Sequence, residues 1–449
     1  MGIFFKYSQR SIGIVKNISF SIVFKFFSAV LGMATVPYLM NAFGVRNYGL
    51  WLAISSFANS FYTLDFGLSN GFRNKFTASI ASEKWLEAKT YLSTIYALLA
   101  GFALLIFLLF ALLSPWVDWA SLFNISATEA IQAQKALNWV TLFFCIKLFV
   151  SVLNTVLIAS HKVALSSFIE LLQIAATFLM AWWFSVEPNL NFDIKVAILS
   201  MLPVLIYLLS SFPVYKNILQ AVRPSFANID FTLLPQLLGK GIQFFFIQIS
   251  AVFLFTIGGF LAGSLYGMEA SAEFGLVNKY FSIPMMGFSI ILTPFWAGFT
   301  DAWIKKDFHW IKSMIKNLLL LWLVYLILLI VMVYFSEGAF AFWLGKNGNS
   351  TLPNKFSFLM GAIFVALCGW GNIFSFFLNG VGLLRIQVLG SLLVVFGMIP
   401  LLYFFNNCLG FHYVNIFIAI NVTLLIGAIL GPLQTYLVLS NKAKGIWRK

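Results

Sequence analysis

Residues 90–113 read TYLSTIYALLAGFALLIFLLFALL, twenty-four positions without one charged side chain. As an α-helix this run is about 36 Å long, enough to cross roughly 30 Å of hydrocarbon. A strand of a membrane barrel would show alternating segments of about ten residues instead. No continuous polar stripe interrupts the run, as one would on a surface helix of a water-soluble fold. The segment reads as a membrane-spanning helix.

The pattern repeats outward in both directions. Apolar runs fall near 18–42, 48–72, 90–113, 136–160, 163–184, 196–219, 239–264, 273–300, 313–335, 355–380, 384–405 and 414–438. The 449 residues are 61% apolar and 9% charged. Soluble domains run near half and a quarter, so the solvent that fits is a bilayer, which admits helices when every backbone group is satisfied internally. An all-α integral membrane protein with about 12 transmembrane helices is expected. The polar stretch QAVRPSFANIDFTLLPQLL (220–238) divides the spans six and six. The expected organisation is a six-helix bundle over 1–222, a cytoplasmic linker over 223–238 and a second six-helix bundle over 239–449. Tyr48-Gly49-Leu50 opening the second span and Phe274-Gly275-Leu276 opening the eighth form a weak internal echo. Parallel six-span repeats are a transporter architecture.

The formal charge is +14. Nucleic-acid binding would need a clustered basic patch on a soluble domain, and here the charge is spread over short loops. With the N-terminus placed inside, twenty of the 28 basic residues fall on the inner side. Five fall outside: Arg46, Lys135, Lys195, Lys346 and Lys355. This positive-inside bias predicts cytoplasmic N- and C-termini. The apolar run after Lys6, Arg10 and Lys16 is too long for a cleavable signal. The three cysteines, Cys145, Cys368 and Cys408, have neither disulfide nor metal spacing.

Three lysines, Lys25, Lys147 and Lys279, lie within spans. A charge at a helix centre facing lipid costs about 2.5–3.5 kcal/mol on insertion scales, so these side chains should face a cavity, a partner or an interface. Lys25 sits on a stripe with Ser21, Ser28, Gly32 and Thr35. Lys147 shares a helical face with Ser151 and Asn154, and Lys279 with Gly275, Ser282, Met286 and Ser289. Glu170, on a face with Ser166, Gln173 and Thr177, could pair with Lys147. Asp65 lies near Arg73 at the inner end of span two. For these acids a structural or gating ion pair and a proton or sodium site both stand. Asn372, Ser375 and Asn379 share one face of span ten and read as polar glue between helices. Pro37 and Pro284 are hinge candidates, and Gly258-Gly259 can kink span seven.

No G-x-x-x-x-G-K-[ST] occurs, so P-loop ATP hydrolysis is excluded. His161, His309 and His412 form no metal pair or triad. The longest outer loops, near 114–135 and 336–354, leave no room for a catalytic domain. A transporter without cofactor or catalytic residue is expected, not an enzyme.

The stretch VPYLMNAFGVRNYGLWLAISSFANSFYTLDFGLSNGFRNKFTASIAS (36–82) resembles the N-terminal signature of Wzx-type polysaccharide flippases. Their superfamily includes the lipid II flippases and the MATE exporters. The resemblance rests on Pro37, Gly44, Tyr48 to Trp51, Asp65 to Leu68 and Arg73. TPFWAGFTDAWIKKDFHWIK (293–312) is similar to the family's loop after span eight. The resemblance implies a MATE-like, V-shaped pair of bundles around a cationic cavity. It implies transfer of an undecaprenyl-diphosphate-linked glycan, such as an O-antigen repeat unit, to the outer leaflet of a bacterial inner membrane. Basic residues on spans one and eight would meet the diphosphate there, which carries that role to Lys25 and Lys279. Some relatives use arginine at such positions. Lysine keeps the point charge but loses bidentate geometry. Membrane lipids, a glycan polymerase and a chain-length regulator are the implied partners, and coupling to Na+ or H+ is left open. The alternatives are a MATE-type multidrug or cation antiporter and a membrane-bound glycan-assembly enzyme.

Overall fold

The computed structural model describes residues 9–62, 68–160, 162–187, 189–235, 245, 248–345 and 353–447. The helices are α1 (Gln9–Tyr62), α2 (Leu68–Ala81), α3 (Trp85–Leu113), α4 (Trp119–Phe123), α5 (Ala127–Val150), α6 (Val152–Ala159), α7 (Val163–Val186) and α8 (Phe192–Pro213). They continue as α9 (Gly258–Tyr266), α10 (Met268–Ile304), α11 (Phe308–Tyr334), α12 (Ser336–Leu344), α13 (Lys355–Val381), α14 (Arg385–Cys408) and α15 (Val414–Leu439). No strand occurs among the described residues.

Ten described helices are long and apolar enough to cross a membrane. A further pair, Gln248–Thr256 and Gly258–Tyr266, is long and apolar enough only when taken together and is bent by 49° at its break, the geometry of a broken span or a re-entrant loop. The bend falls at Ile257, between the π-helical turn Val252–Thr256 and the helix that begins at Gly258, so the Gly258-Gly259 pair lies just past the kink rather than in it. The first half of that expected span, 239–247, lies largely outside the described residues. One of the ten, the 42-residue stretch Ser19–Ser60 of α1, would be about 63 Å long if straight, twice the hydrocarbon thickness. It holds the first expected span and the first part of the second, whose expected end at 72 lies past Tyr62. The division is at Gly44, whose φ of 72° and ψ of 160° are non-helical and lie in a region essentially reserved for glycine. Counted helix by helix, the described residues give ten candidate spans, or eleven with the bent pair as one, against about twelve expected; the break inside α1 is where a further crossing would divide. Pro37, a hinge candidate by sequence, sits in helical backbone seven residues before this break. Pro284 is buried inside α10, where the helix runs without interruption.

Local chemistry sets several boundaries. Helix α5 starts at Ala127, nine residues before the expected span. A capping box holds it: the Glu129 N–H donates to Ser126 Oγ, and the Ser126 N–H donates to Glu129 Oε2 at 2.9 Å. Asn354 and Asp307 cap α13 and α11 by accepting from the N–H groups of Ser357 and Trp310. Long exposed apolar faces, such as Leu104, Leu105, Leu108, Leu109 and Leu112 on α3, are what lipid requires and water would penalise.

The helices fall into two compact units. Unit 1 holds residues 1–44, 64–119 and 126–242, and unit 2 holds 45–63, 120–125 and 243–449. The sequence-based division differs: 45–63 and 120–125 group with unit 2, and the later boundary falls after 242 instead of setting 223–238 apart as a linker. The reason for 45–63 is close packing. A Cβ at Gly49 would collide with the backbone of Met268, and Gly259 and Gly263 likewise approach Ser56 and Ala53. Small residues at helix interfaces allow such contact. For 120–125, Phe123 is fully buried and packs edge-on against Phe260 at 5.7 Å.

Each unit has its own core. In unit 1, Phe72 and Phe76 of α2 pack with Leu92 and Ile95 of α3 and Leu153, Val156 and Leu157 of α6. The linker region clamps to the same end of α3. The Ser225 N–H donates to Ser93 Oγ, and the Asp230 N–H donates to Thr94 Oγ1, each at 3.0 Å. Unit 2 is built on aromatic pairs: Phe274 stacks on Phe417 with centroids 4.5 Å apart, and Phe288 on Tyr325 at 4.6 Å.

Candidate functional site

In unit 1, α1 and α7 pack with residue numbers rising together. Ser21 Oγ and Ser167 Oγ share a 2.7 Å hydrogen bond, Phe24 meets Phe168 at 5.4 Å, and Tyr38 meets Phe178 at 5.5 Å. The helices are therefore parallel. Lys25 lies one turn beyond Ser21, and Glu170 nearly one turn beyond Ser167, so the register brings these two residues to one level. Lys25 is exposed, between the exposed Phe26 and other apolar side chains of that face.

Glu170 is held from α6. Asn154 Nδ2 donates to its Oε1 at 3.3 Å, and Ser166 Oγ donates to Asn154 Oδ1. A Lys147–Glu170 ion pair, one of the two sequence readings, is not formed. The cause is local. The helix breaks at Ser151, whose Oγ turns back to the Leu148 carbonyl. Asn154, beyond the break, faces α7. Lys147 is half-buried on α5.

Lys279 lies in unit 2, half-buried on α10, with Ser282 Oγ donating to its carbonyl at 2.7 Å. Neither Lys25 nor Lys279 engages its ammonium group in a hydrogen bond or ion pair among the described residues. Arg73 is exposed on α2. Asp65 lies outside the described residues, so its expected pairing with Arg73 does too.

Unit 2 also contains a cavity of about 260 Å³. Asn372 and Ser375 of α13 line it, together with Gln387 and Ser391 of α14, Gln434 of α15 and Ser250. No charged side chain lines it. Ser250 Oγ donates to Ser391 Oγ at 3.2 Å. Gln434 is fully buried, with Nε2 donating to the Trp447 carbonyl and Oε1 left without a partner. Gln387 Nε2 is also unpartnered. Asn372 and Ser375 thus face a chamber rather than only gluing helices together. Gln387 and Ser391 were missed, although their i, i+4 spacing on span eleven was a visible signal. Among the described residues no group of three or more His, Cys, Asp or Glu side chains gathers as a metal site.

No family model matches the chain, and no curated protein matches it. Solved structures do. An inward-facing multidrug resistance MATE family transporter of the MOP superfamily superposes with a TM-score of 0.77 at 12% identity, over 94% of this chain and 98% of the other. An outward-facing structure of a transporter so described gives 0.66 at 13%, over 96% of each chain. A MOP superfamily transporter from Pyrococcus furiosus Vc1, described as having a binding pocket of reversed polarity that suggests a different function, gives 0.61 at 13%, over 97% of this chain and 95% of the other. At these identities the likeness establishes the fold. The chain is a multi-pass helical membrane protein with the fold of MATE transporters.

Proposed function

We propose that this chain is a Wzx-type flippase that carries a polyprenyl-diphosphate-linked oligosaccharide from the inner to the outer leaflet of a bacterial cytoplasmic membrane. The observation that carries the reading is the charge left at membrane depth. Lys25 and Lys279 have no carboxylate partner among the described residues, while Glu170 is held by Asn154. Unpaired ammonium groups suit an anionic cargo and repel a cationic one. That some transporter of this fold is described as having a pocket of reversed polarity supports the idea that the fold accepts cargo of either sign.

In this reading the glycan head passes through the protein while the lipid tail stays in the bilayer. Lys25, Lys147 and Lys279 offset the diphosphate charge during passage. An inside-negative potential favours outward movement of an anion by about 2.3 kcal/mol per charge per 100 mV. The glycan polymerase and chain-length regulator would act on the delivered product.

The test replaces Lys25, Lys147 and Lys279 singly by Ala in cells lacking their own flippase, with membrane insertion checked for each variant. Surface glycan should fall in at least one variant. Full display in all three sinks the reading. The rival reading, multidrug or cation export, would show instead as altered drug susceptibility with surface glycan unchanged.

A further inference from the structure

A second cavity belongs to neither lysine. It lies wholly in unit 1, where α3 ends, α5 enters and α8 begins, and it measures about 680 Å³. That is within the span of roughly 300–1,000 Å³ usual for small-molecule sites. Its polar lining is Ser114, Gln134, Lys135, Asn138, Trp139 and Asp193. Phe107 and Phe110 of α3 form an apolar wall.

The placement of the polar groups follows from helix geometry. Gln134 and Asn138, and Lys135 and Trp139, are i, i+4 pairs on adjacent rows of α5, so four side chains reach one side. Asp193 is in the first turn of α8, where the helix dipole favours a carboxylate. Lys135 and Asp193 form no ion pair with each other among the described residues. Trp139 is 42% exposed, and its ring is backed by Phe143 in a stacked arrangement, centroids 6.1 Å apart and planes 17° from parallel. Ser114 adds a polar residue at the end of α3; it is buried, and its hydroxyl has no hydrogen-bond partner.

The combination is specific in its chemistry. Two side-chain amides each offer donors and an acceptor, Asp193 only accepts, and Lys135 only donates. Sugar hydroxyls both donate and accept, so they need such a mixed set. A sugar ring also presents an apolar C–H face, which a fixed indole can cover. The single lysine and single aspartate balance, so the site does not select for a diphosphate. An acyl chain would have no use for the polar side chains.

We propose that this cleft is a saccharide subsite that holds the glycan head on the face the charge bias assigns to the outside. The inference rests on the flippase reading, and it assigns the sugar and the diphosphate to different parts of the chain. The diphosphate is met by span lysines, and the sugar by Trp139, Asn138, Gln134 and Asp193.

The test uses the full chain in nanodiscs of neutral lipid. The probes are free mono- and disaccharides of hexoses and N-acetylhexosamines, and phosphate-free oligosaccharide released from the host's own surface polysaccharide. Saturation-transfer NMR should show binding of at least one. Trp139→Ala and Asp193→Asn should weaken it at least tenfold, and Trp139→Phe should restore most of it. No saccharide binding, or binding indifferent to Trp139→Ala and Asp193→Asn, overturns the subsite. So does acyl-brominated lipid that quenches Trp139, identified by difference against Trp139→Phe, if no saccharide relieves the quenching. Surface display separates this inference from the transport reading. If display depends on the lysines but saccharide does not bind, the subsite alone fails. If display is untouched by every lysine variant, the transport reading fails, whatever the nanodisc result.

Discussion

Lys195 Nζ donates a 2.8 Å hydrogen bond to the backbone carbonyl of Ala42, two residues before the break at Gly44. Lys195 is 3% exposed, and its ammonium lies over the Phe43 ring, 5.8 Å from the centroid. The first half of α1 thus ends on a cation that donates to a terminal carbonyl and suits the negative end of the helix dipole. On the other side of the break, Arg46 Nη1 donates to Glu269 Oε1 at 3.2 Å within unit 2. The boundary between units falls between Gly44 and Val45, so the chain is fastened on each side of it by a different side chain.

Lys195→Met should therefore destabilise the protein by about 1.5–3 kcal/mol, the range for a hydrogen bond to a charged group. Arg46→Ala should cost under about 1 kcal/mol, because its pair with Glu269 is half-exposed on both sides. Thermal unfolding of the detergent-solubilised protein measures both. Equal losses would show that Lys195 is not the principal fastening.

The glycines near this boundary separate two causes of damage. An added Cβ at Gly44 meets open space, but its φ of +72° strains any L side chain, so Gly44→Ala should cost about 1–3 kcal/mol through the backbone alone. Gly49→Ala meets the Met268 carbonyl, which belongs to a helix backbone and cannot turn aside. Its cost should exceed that of Gly44→Ala. Gly101→Ala, with nothing nearby, should be neutral or slightly stabilising, because alanine is the better helix former. The order of melting temperatures checks all three.

The membrane fold was plain in the sequence because long uncharged runs have one physical solution. The break in α1 at Gly44 was not legible, although Gly44 belongs to the quoted motif and Pro37 stands seven residues before it. A proline within a helix suggests a bend, whereas the φ and ψ of a glycine cannot be read from its identity. Lys195 was counted only as an outer basic residue, since its burial depends on α1, some 150 positions away. The Lys147–Glu170 pairing failed for a similar reason. Helical spacing placed Lys147, Ser151 and Asn154 on one face, and the break at Ser151 removed the premise. The polar cavities were hardest to see, because each is assembled from helices far apart in the chain.

That failure gives a quantitative expectation. With Glu170 held by Asn154, Glu170→Gln and Lys147→Ala should act additively on stability, with a coupling energy near zero. Glu170→Gln and Asn154→Ala share a hydrogen bond and should couple by about 0.5–3 kcal/mol. Two double-mutant cycles read by thermal unfolding decide the matter. Strong coupling in the lysine cycle would restore the ion pair.

The linker offers a pH test outside the spans. Asp230 Oδ1 accepts from the Thr232 hydroxyl at 2.6 Å and from the Thr232 N–H at 2.9 Å. These hydrogen bonds, the hydroxyl foremost, lower the Asp230 pKa. A carboxyl depressed on folding contributes stability that is present above its unfolded value, about 3.9, and is lost as pH falls through the folded value. The turn at 230–233 should stay protected from amide exchange at neutral pH and open below about pH 4. Asp230→Asn should remove that dependence, and exchange of the Thr232 amide reports it.

The span lysines separate charge from shape. Lys279 lacks a partner among the described residues, so its replacement removes no native ion pair, and a loss of transport would not be a loss of folding in disguise. Lys279→Met keeps most of the stem and deletes the charge. Lys279→Arg keeps the charge and adds a planar fork that binds phosphate in bidentate fashion. If the residue meets a diphosphate as a point charge, Lys279→Arg should sustain surface glycan at or near the parental level, and Lys279→Met should reduce it at least several-fold. The same pair of changes at Lys25 should follow the same order. Equal display from the Met and Arg variants at both positions, at matched membrane abundance, would remove the diphosphate from these sites.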